Sequence, residues 1–156
     1  MNKHLGFTLL EVLVALVVLS IGLLGIAGLH IDGVRTGQSA LQRTYAVNLA
    51  SDMADRIRAN PNGNYDVGAG PAGPAPAVIC ADTATAEAPG DCSPAAMAAY
   101  DVWEWRSALD ADSATGLPGG QGSIDLDAAT DPASMVVTVS WTDKGEPRSY
   151  RLTVQQ

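Results

Sequence analysis

Positive charge is scarce in this sequence of 156 residues. Nine lysine and arginine residues stand against 17 aspartate and glutamate residues, which gives a formal net charge of −8. Binding to nucleic acid through its phosphates requires clustered cations. The densest pair, Arg56 and Arg58, lies beside Asp52 and Asp55. We therefore expect no nucleic acid as a partner, and we interpret this pair as part of a solvated helix face with ion pairs.

Histidine is scarcer still, and it lies outside the expected soluble core. The two histidines are His4 and His30. The sequence contains no metal-ligand spacing and no set of nucleophile, base and orienting residue. Asp101 and Glu104, three residues apart on a predicted helix, are interpreted as solvent-facing carboxylates. The expectation is a protein that is not an enzyme and that has no cofactor and no bound metal.

Cysteine occurs only twice, as Cys80 and Cys92, with eleven residues between them. This spacing is neither that of a CxxC redox motif nor that of a zinc site. In an exported domain two cysteines most simply form one disulfide, and free thiols are the alternative. Closing a loop this short adds about 3 kcal/mol to stability by the chain-entropy argument.

What the chain does have is a long apolar segment near its start. The segment from Phe7 to Leu29 is 23 residues long, and Glu11 is its only charged residue. About 20 residues suffice for a helix to cross a hydrocarbon core. Lys3 precedes the segment, and basic residues on the short flank predict an N-terminus that stays in the cytoplasm. Everything after residue 30 then lies across the membrane. A signal-peptidase site at residues 27–29 is the alternative.

The helical pattern continues beyond the apolar segment. Hydrophobic residues recur at mostly four-residue steps along one face. The stripe consists of Val34, Leu41, Tyr45, Leu49, Met53 and Ile57. The sequence predicts one helix from Phe7 to about Ala59, which ends because the residue before Pro61 is disfavoured in a helix. Its second half is amphipathic and needs a domain to cover one face.

The rest of the chain predicts a small mixed domain. Residues 60–76 are expected to form a loop, and Ser93 is the predicted N-cap of a helix from Pro94 to about Ala111. Alternating hydrophobic residues predict β structure at the C-terminal end. The predicted strands are Ser123–Leu126, Met135–Trp141 and a third containing Tyr150, Leu152 and Val154, with a turn at 143–146. Core packing is the predicted role of three tryptophans, and a binding patch is the alternative. They are Trp103, Trp105 and Trp141.

The residues around the start of the apolar segment form a dense motif. The sequence Gly6-Phe7-Thr8-Leu9-Leu10-Glu11 closely resembles the class III signal of type IV prepilins and type II secretion pseudopilins. The resemblance implies that a prepilin peptidase cuts between Gly6 and Phe7 and methylates the new N-terminus of Phe7. Residues 1–6 are then a leader, 7–29 a transmembrane and assembly helix, and 30–156 a periplasmic head.

This resemblance also implies an α+β fold of the type IV pilin kind. A long N-terminal helix packs on a small antiparallel sheet, and one further short helix accompanies it. The implied location is the inner membrane, with the N-terminus in the cytoplasm, and then the pilus. The implied partners are the prepilin peptidase, other minor and major pilins through the N-terminal helix, the inner-membrane assembly platform and membrane lipid.

Glu11 is the residue expected to carry assembly. A carboxylate inside an apolar helix costs roughly 2.5–3.5 kcal/mol on insertion scales, so a partner or a function is expected. The free amino group of Phe7 on a neighbouring subunit would be such a partner, and the resemblance implies the same contact. The alternative is that Glu11 lies at headgroup depth and is solvated.

Three further segments resemble minor pilins of the PilV type. They are Ala54–Pro61 (ADRIRANP), Leu117–Gly120 (LPGG) and Trp141–Asp143. This resemblance implies a minor pilin that enters or primes the tip complex and promotes pilus assembly, surface display, cell adhesion and twitching motility. A minor pseudopilin of a type II secretion system and a single-pass membrane-anchored periplasmic binding protein are the alternatives. No cysteine follows Cys92, so the C-terminal disulfide loop of major pilins is absent.

Overall fold

The computed structural model describes residues 8–80, 92–110, 116–129 and 133–155. These ranges contain two helices and four strands. The elements are α1 (Leu9–Ala59), β1 (Val67–Gly70), α2 (Pro94–Leu109), β2 (Gln121–Asp127), β3 (Ser134–Asp143) and β4 (Glu146–Gln155). The long helix, the short helix and the antiparallel sheet confirm the predicted α+β, pilin-like fold.

The long helix α1 belongs to two compact units of the chain. One unit ends at Ala40 and the other begins at Leu41. In the first unit every described side chain is exposed except that of Ser39, which is half-buried. In the second unit, which we call the head, the helix supplies core residues. They are Ala46, Ala50, Met53, Ala54 and Ile57.

The predicted hydrophobic stripe on α1 is only partly the buried face. Met53 and Ile57 are fully buried, while Val34 and Leu41 are 51% and 71% exposed. The prediction is wrong for these last two, because the pattern gives the direction of a side chain but not where the covering domain begins. Three alanines of α1 outside this stripe, Ala46, Ala50 and Ala54, are buried as well.

The short helix α2 begins and packs as the sequence predicts. The Ser93 hydroxyl accepts a hydrogen bond from the Ala96 amide at 3.2 Å, which caps the helix. Trp105 is 1% exposed, and its indole Nε1 donates to the main-chain carbonyl of Leu49 on α1 at 2.9 Å. Leu109 and Ala98 are fully buried, whereas Met97 is half-buried.

The four strands form one antiparallel sheet in the order β1-β2-β3-β4. Ile124, Val137 and Leu152 lie side by side on neighbouring strands, and their face of the sheet covers the same core that α1 and α2 reach. Lys144 and Gly145 join β3 to β4 with φ angles of 55° and 84°. Two positive φ angles are typical of a type I′ turn, whose twist suits a hairpin.

One strand was not predicted from the sequence. β1 has the sequence VGAG and pairs with β2, with an irregular register between Val67 and Gly70. The sequence prediction placed these residues in a loop, because two glycines and one valine give no alternating apolar pattern. β2 also runs longer than predicted, from Gln121 to Asp127.

A glycine-rich turn, Leu117–Gly120, precedes β2, and the structure shows why glycine is needed there. Gly119 has a φ of 63°, and the Gly120 amide donates to the Leu117 carbonyl at 2.8 Å. A Cβ at position 120 would collide with the main-chain carbonyl of Leu109 at the end of α2. The turn therefore needs glycine twice, once for its conformation and once for close approach.

Candidate functional site

The first candidate surface is the apolar part of α1. Its large hydrophobic side chains from Leu9 to Ile31 are between 49% and 79% exposed. Among the described residues, α1 is the one helix that is long and apolar enough to cross a membrane, and none of its most apolar window is buried. No described residue covers this surface, which is of the kind that lipid or another protein covers.

Glu11 lies in the first turn of this helix and is exposed. Its amide donates to the Thr8 hydroxyl at 3.2 Å and to the Thr8 carbonyl at 3.1 Å, so Thr8 caps the helix. A glutamate three residues after a capping threonine is also the spacing of a capping box. Glu11 lines a shallow apolar hollow with Val12, Ala15, Leu16 and Leu19. Gly6 and Phe7 lie outside the described residues.

Ser20 and three glycines are the other notable residues of this apolar segment, and none of them adds a charge to its surface. The Ser20 hydroxyl donates to the Leu16 carbonyl at 2.7 Å, the back-bonding that is usual for serine within a helix. Gly22, Gly25 and Gly28 lie within continuous helix, and a Cβ at any of them would meet no atom within 4 Å. These positions are therefore open to close approach by another helix.

The second candidate site is a polar cluster between α1 and α2, which we call the Arg56 cluster. Arg56 Nε lies 3.0 Å from Asp52 Oδ2, and its Nη1 lies 3.1 Å from Asp101 Oδ1 and 2.5 Å from Glu104 Oε2. The Tyr65 hydroxyl donates to Asp101 Oδ2 at 2.7 Å. Arg56, Asp52, Tyr65, Asp101 and Glu104 make up the cluster.

The protonation of this cluster follows from its burial and its charges. Burial raises the pKa of the Tyr65 phenol to about 12, and the hydrogen bond to Asp101 adds to that rise. Burial opposes the charge of Arg56, but the carboxylates of Glu104, Asp52 and Asp101 outweigh it and raise the pKa of the guanidinium. The cluster therefore holds a neutral phenol and a fixed cation beside Asp101, whose side chain is 11% exposed.

The structure corrects the prediction for Asp101. The sequence interpretation placed Asp101 and Glu104 in solvent, but Asp101 is buried and both residues bond to Arg56. The signal was present, because Asp101 lies four residues before Trp105 and so shares its buried face. The prediction for Arg56 was right about an ion pair and missed the connection to α2.

The cysteines and tryptophans named in the sequence analysis have structural roles: they form a disulfide and pack in or beside the core. Cys80 and Cys92 are joined by the predicted disulfide, with Cα atoms 6.0 Å apart; residues 81–91 between them lie outside the described residues. Trp105 and Trp141 are buried, which confirms core packing, and Trp103 is half-buried, with its ring centre 5.8 Å from that of Tyr100. Within the described ranges, no three His, Cys, Asp or Glu residues group to hold a metal.

Two family models match the chain. Residues 28–103 match the family described as Type IV pilin Tt1218, and residues 1–27 match the Prokaryotic N-terminal methylation motif. No curated protein and no solved structure matches significantly. The methylation motif implies processing by prepilin peptidase and assembly with other pilins. With the exposed apolar helix and the α+β head, the two adjoining matches support the assignment of this chain as a type IV pilin, a structural and not an enzymatic protein.

Proposed function

We propose that this chain is a minor pilin of a type IV pilus, which enters or primes the tip complex and promotes pilus assembly and surface display. The single observation that supports it most strongly is the apolar surface of α1, which is exposed from Leu9 to Ile31 and largely falls within the methylation motif of residues 1–27. A helix of this kind serves first as a membrane anchor and then as the shared packing element of a filament.

The first step is processing at the membrane. The prepilin peptidase removes residues 1–6 by cutting between Gly6 and Phe7, and the new amino group of Phe7 is methylated. The chain waits in the inner membrane, with its N-terminus in the cytoplasm and its head in the periplasm. Glu11 is the single charged residue between Leu9 and Leu29, and a carboxylate at that depth calls for a partner.

The second step moves the helix from lipid into protein. The exposed apolar side chains exchange contact with acyl chains for contact with other pilin helices, so the change in hydrophobic free energy is close to zero. Direction therefore comes from the assembly platform and from specific contacts. We assign the contact between Glu11 and the Phe7 amino group of a neighbouring subunit to this role.

The minor role is supported by features of the head. The disulfide joins Cys80 to Cys92 and so lies before α2 and strands β2 to β4, in the middle of the chain. The ADRIRANP segment supplies Arg56 to its cluster and ends α1. The LPGG turn fits between α2 and β2 by close approach. Two of the segments that resemble PilV-type minor pilins therefore have defined places in this head.

The proposal is tested by deleting the gene and scoring surface pili and protein secretion side by side. We expect few or no surface pili, normal secretion, and restoration of pili by the wild-type chain. Mass spectrometry of the restored chain should find N-methylphenylalanine at residue 7. Lost secretion with normal piliation contradicts the proposal and favours the pseudopilin alternative, and an uncut Met1 in cells with active peptidase contradicts both.

A further inference from the structure

The two outer edges of the sheet, at β4 and at β1–β2, carry opposite charges. Lys144, Arg148 and Arg151 lie on β4 and the turn before it, and all three are exposed. No ion pair of the described head residues uses any of them, since the four that occur there involve only Arg56 and Arg58. The same strand carries one exposed carboxylate, Glu146, so β4 and its turn together hold three cations against one anion. In an acidic protein this gives the strand an edge of net positive charge, which we call the basic edge.

This basic edge is also an open edge of the sheet. β4 pairs with β3 over ten residues in continuous register, from Ser134 with Gln155 to Asp143 with Glu146. Because β4 is the last strand, half of its main-chain N–H and C=O groups have no strand beside them among the described residues. Such an edge binds another strand readily unless charge or proline prevents it. Pro147, which has no N–H to donate, is the second residue of β4 and so weakens this edge only near the turn.

The opposite edge is acidic. Asp125 and Asp127 lie on β2, Asp66 precedes β1, and all three are exposed. β1 is only four residues long, so it leaves much of β2 uncovered. Arg151 pairs across Thr138 with Ser123, so Arg151 and Asp125 lie on the same face of the sheet, opposite to that of the core.

These two edges do not meet within one chain. Neighbouring strands lie about 4.8 Å apart, so β1 and β4 are separated by about 14 Å. A second copy brings them together, because its acidic edge complements the basic edge in charge and both are sheet edges. We infer that the β4 edge of one head binds the acidic β1–β2 edge of the head of a second copy of this chain.

Such a contact is heterologous, since it joins two different patches, and it therefore leaves one edge of each kind free for the next copy. It goes beyond the proposed function. It requires neither leader removal nor the Glu11 contact, and it holds for a pilin of either minor or major abundance.

The test uses the full chain in detergent micelles, prepared with donor and acceptor fluorophores, and measures association between copies by energy transfer. The basic-edge variant is Arg148→Glu with Arg151→Glu, and the acidic-edge variant is Asp125→Lys with Asp127→Lys. We expect each alone to associate at least about tenfold more weakly than wild type, because like charges then face each other. Wild-type association should also weaken at high salt.

Mixing the two variants is the decisive arm, because it restores opposite charges at every junction and should recover association. The matched control is Arg43→Glu with Arg58→Glu, which changes net charge equally on exposed positions of α1 and should associate as wild type does. Near-ultraviolet circular dichroism confirms folding. Wild-type chains that stay monomeric, or mixed variants that stay apart, overturn the inference; normal piliation by the same variants would still leave the proposed function intact.

Discussion

At the scale of single residues, Asp101 shows how a buried charge is accommodated in this head. Its side chain is 11% exposed, and each carboxylate oxygen has a partner, Arg56 on one side and Tyr65 on the other. Burying a carboxylate costs several kcal/mol unless it is both paired and hydrogen-bonded. The hydrogen bonds to Asp101 fix the orientation of α2 relative to α1, because hydrogen bonds are directional and apolar packing is not.

Removing the Asp101 carboxylate should therefore destabilise the head. We expect Asp101→Ala to lower the free energy of unfolding by about 2–4 kcal/mol, since Arg56 and Tyr65 lose their shared acceptor. Chemical unfolding of the full chain in detergent measures it. Asp55→Ala is the matched control, because its ion pair with Arg58 is exposed and should contribute less than about 1 kcal/mol. Equal losses in the two variants would refute this role.

Tyr65 makes the stability of the head depend on alkaline pH. The fold raises the phenol pKa from 10.0 to about 12, so the folded state favours the neutral form. That contribution is complete below pH 10 and is lost as pH rises towards 12. Wild-type unfolding should become easier across this window more steeply than that of Tyr65→Phe. Curves of the same slope for both chains would show that Tyr65 is not responsible.

At the scale of elements, the contact of β2 with α2 depends on the absence of a side chain. A Cβ at Gly122 would collide with the indole ring of Trp105 and approach Leu109 Cδ1 to 2.8 Å. Both of those side chains are essentially buried, so neither can move without disturbing the core. Close packing makes such overfilling costly.

Gly122→Ala should accordingly destabilise the head by about 1–3 kcal/mol. Gly68→Ala, on β1, is the control, since a Cβ there meets nothing within 4 Å and should change stability by less than about 0.5 kcal/mol. Thermal unfolding of both variants in detergent compares them. A Gly122→Ala chain as stable as wild type would mean that α2 can shift away from the sheet.

The elements also show what the sequence could and could not predict. The Ser93 cap, the end of α1 before Pro61 and the β3–β4 hairpin follow local rules, so they were predictable. β1 was not, because a strand of sequence VGAG exists only through its pairing with β2. For Asp101 the local spacing from Trp105 indicated the buried face, but the partner that makes burial of a carboxylate tolerable, Arg56, lies 45 residues earlier in the chain and could not be predicted.

At the scale of the whole molecule, the two units meet solvent in opposite ways. The head has a core of buried side chains from both helices and the sheet, whereas the described residues before Leu41 leave their hydrophobic side chains exposed. The head buries most of its large hydrophobic side chains within its own core, and the apolar part of α1 leaves its hydrophobic side chains exposed. The prediction of Glu11 as a functional residue rested on this contrast, since one charge in a long apolar helix stands out from the sequence alone.

Replacing Glu11 should separate membrane insertion from assembly. Glu11→Gln removes the negative charge, which makes the helix less costly to hold in the bilayer, and it removes the partner proposed for the Phe7 amino group. We expect normal cleavage and normal membrane levels, but at least a tenfold smaller fraction of the chain in sheared pili, as about 1.4 kcal/mol of lost contact would give. Immunoblots of membrane and pilus fractions measure this. Ser20→Ala removes only a bond within the helix and should assemble normally, while normal assembly of Glu11→Gln would assign Glu11 to the headgroup region instead.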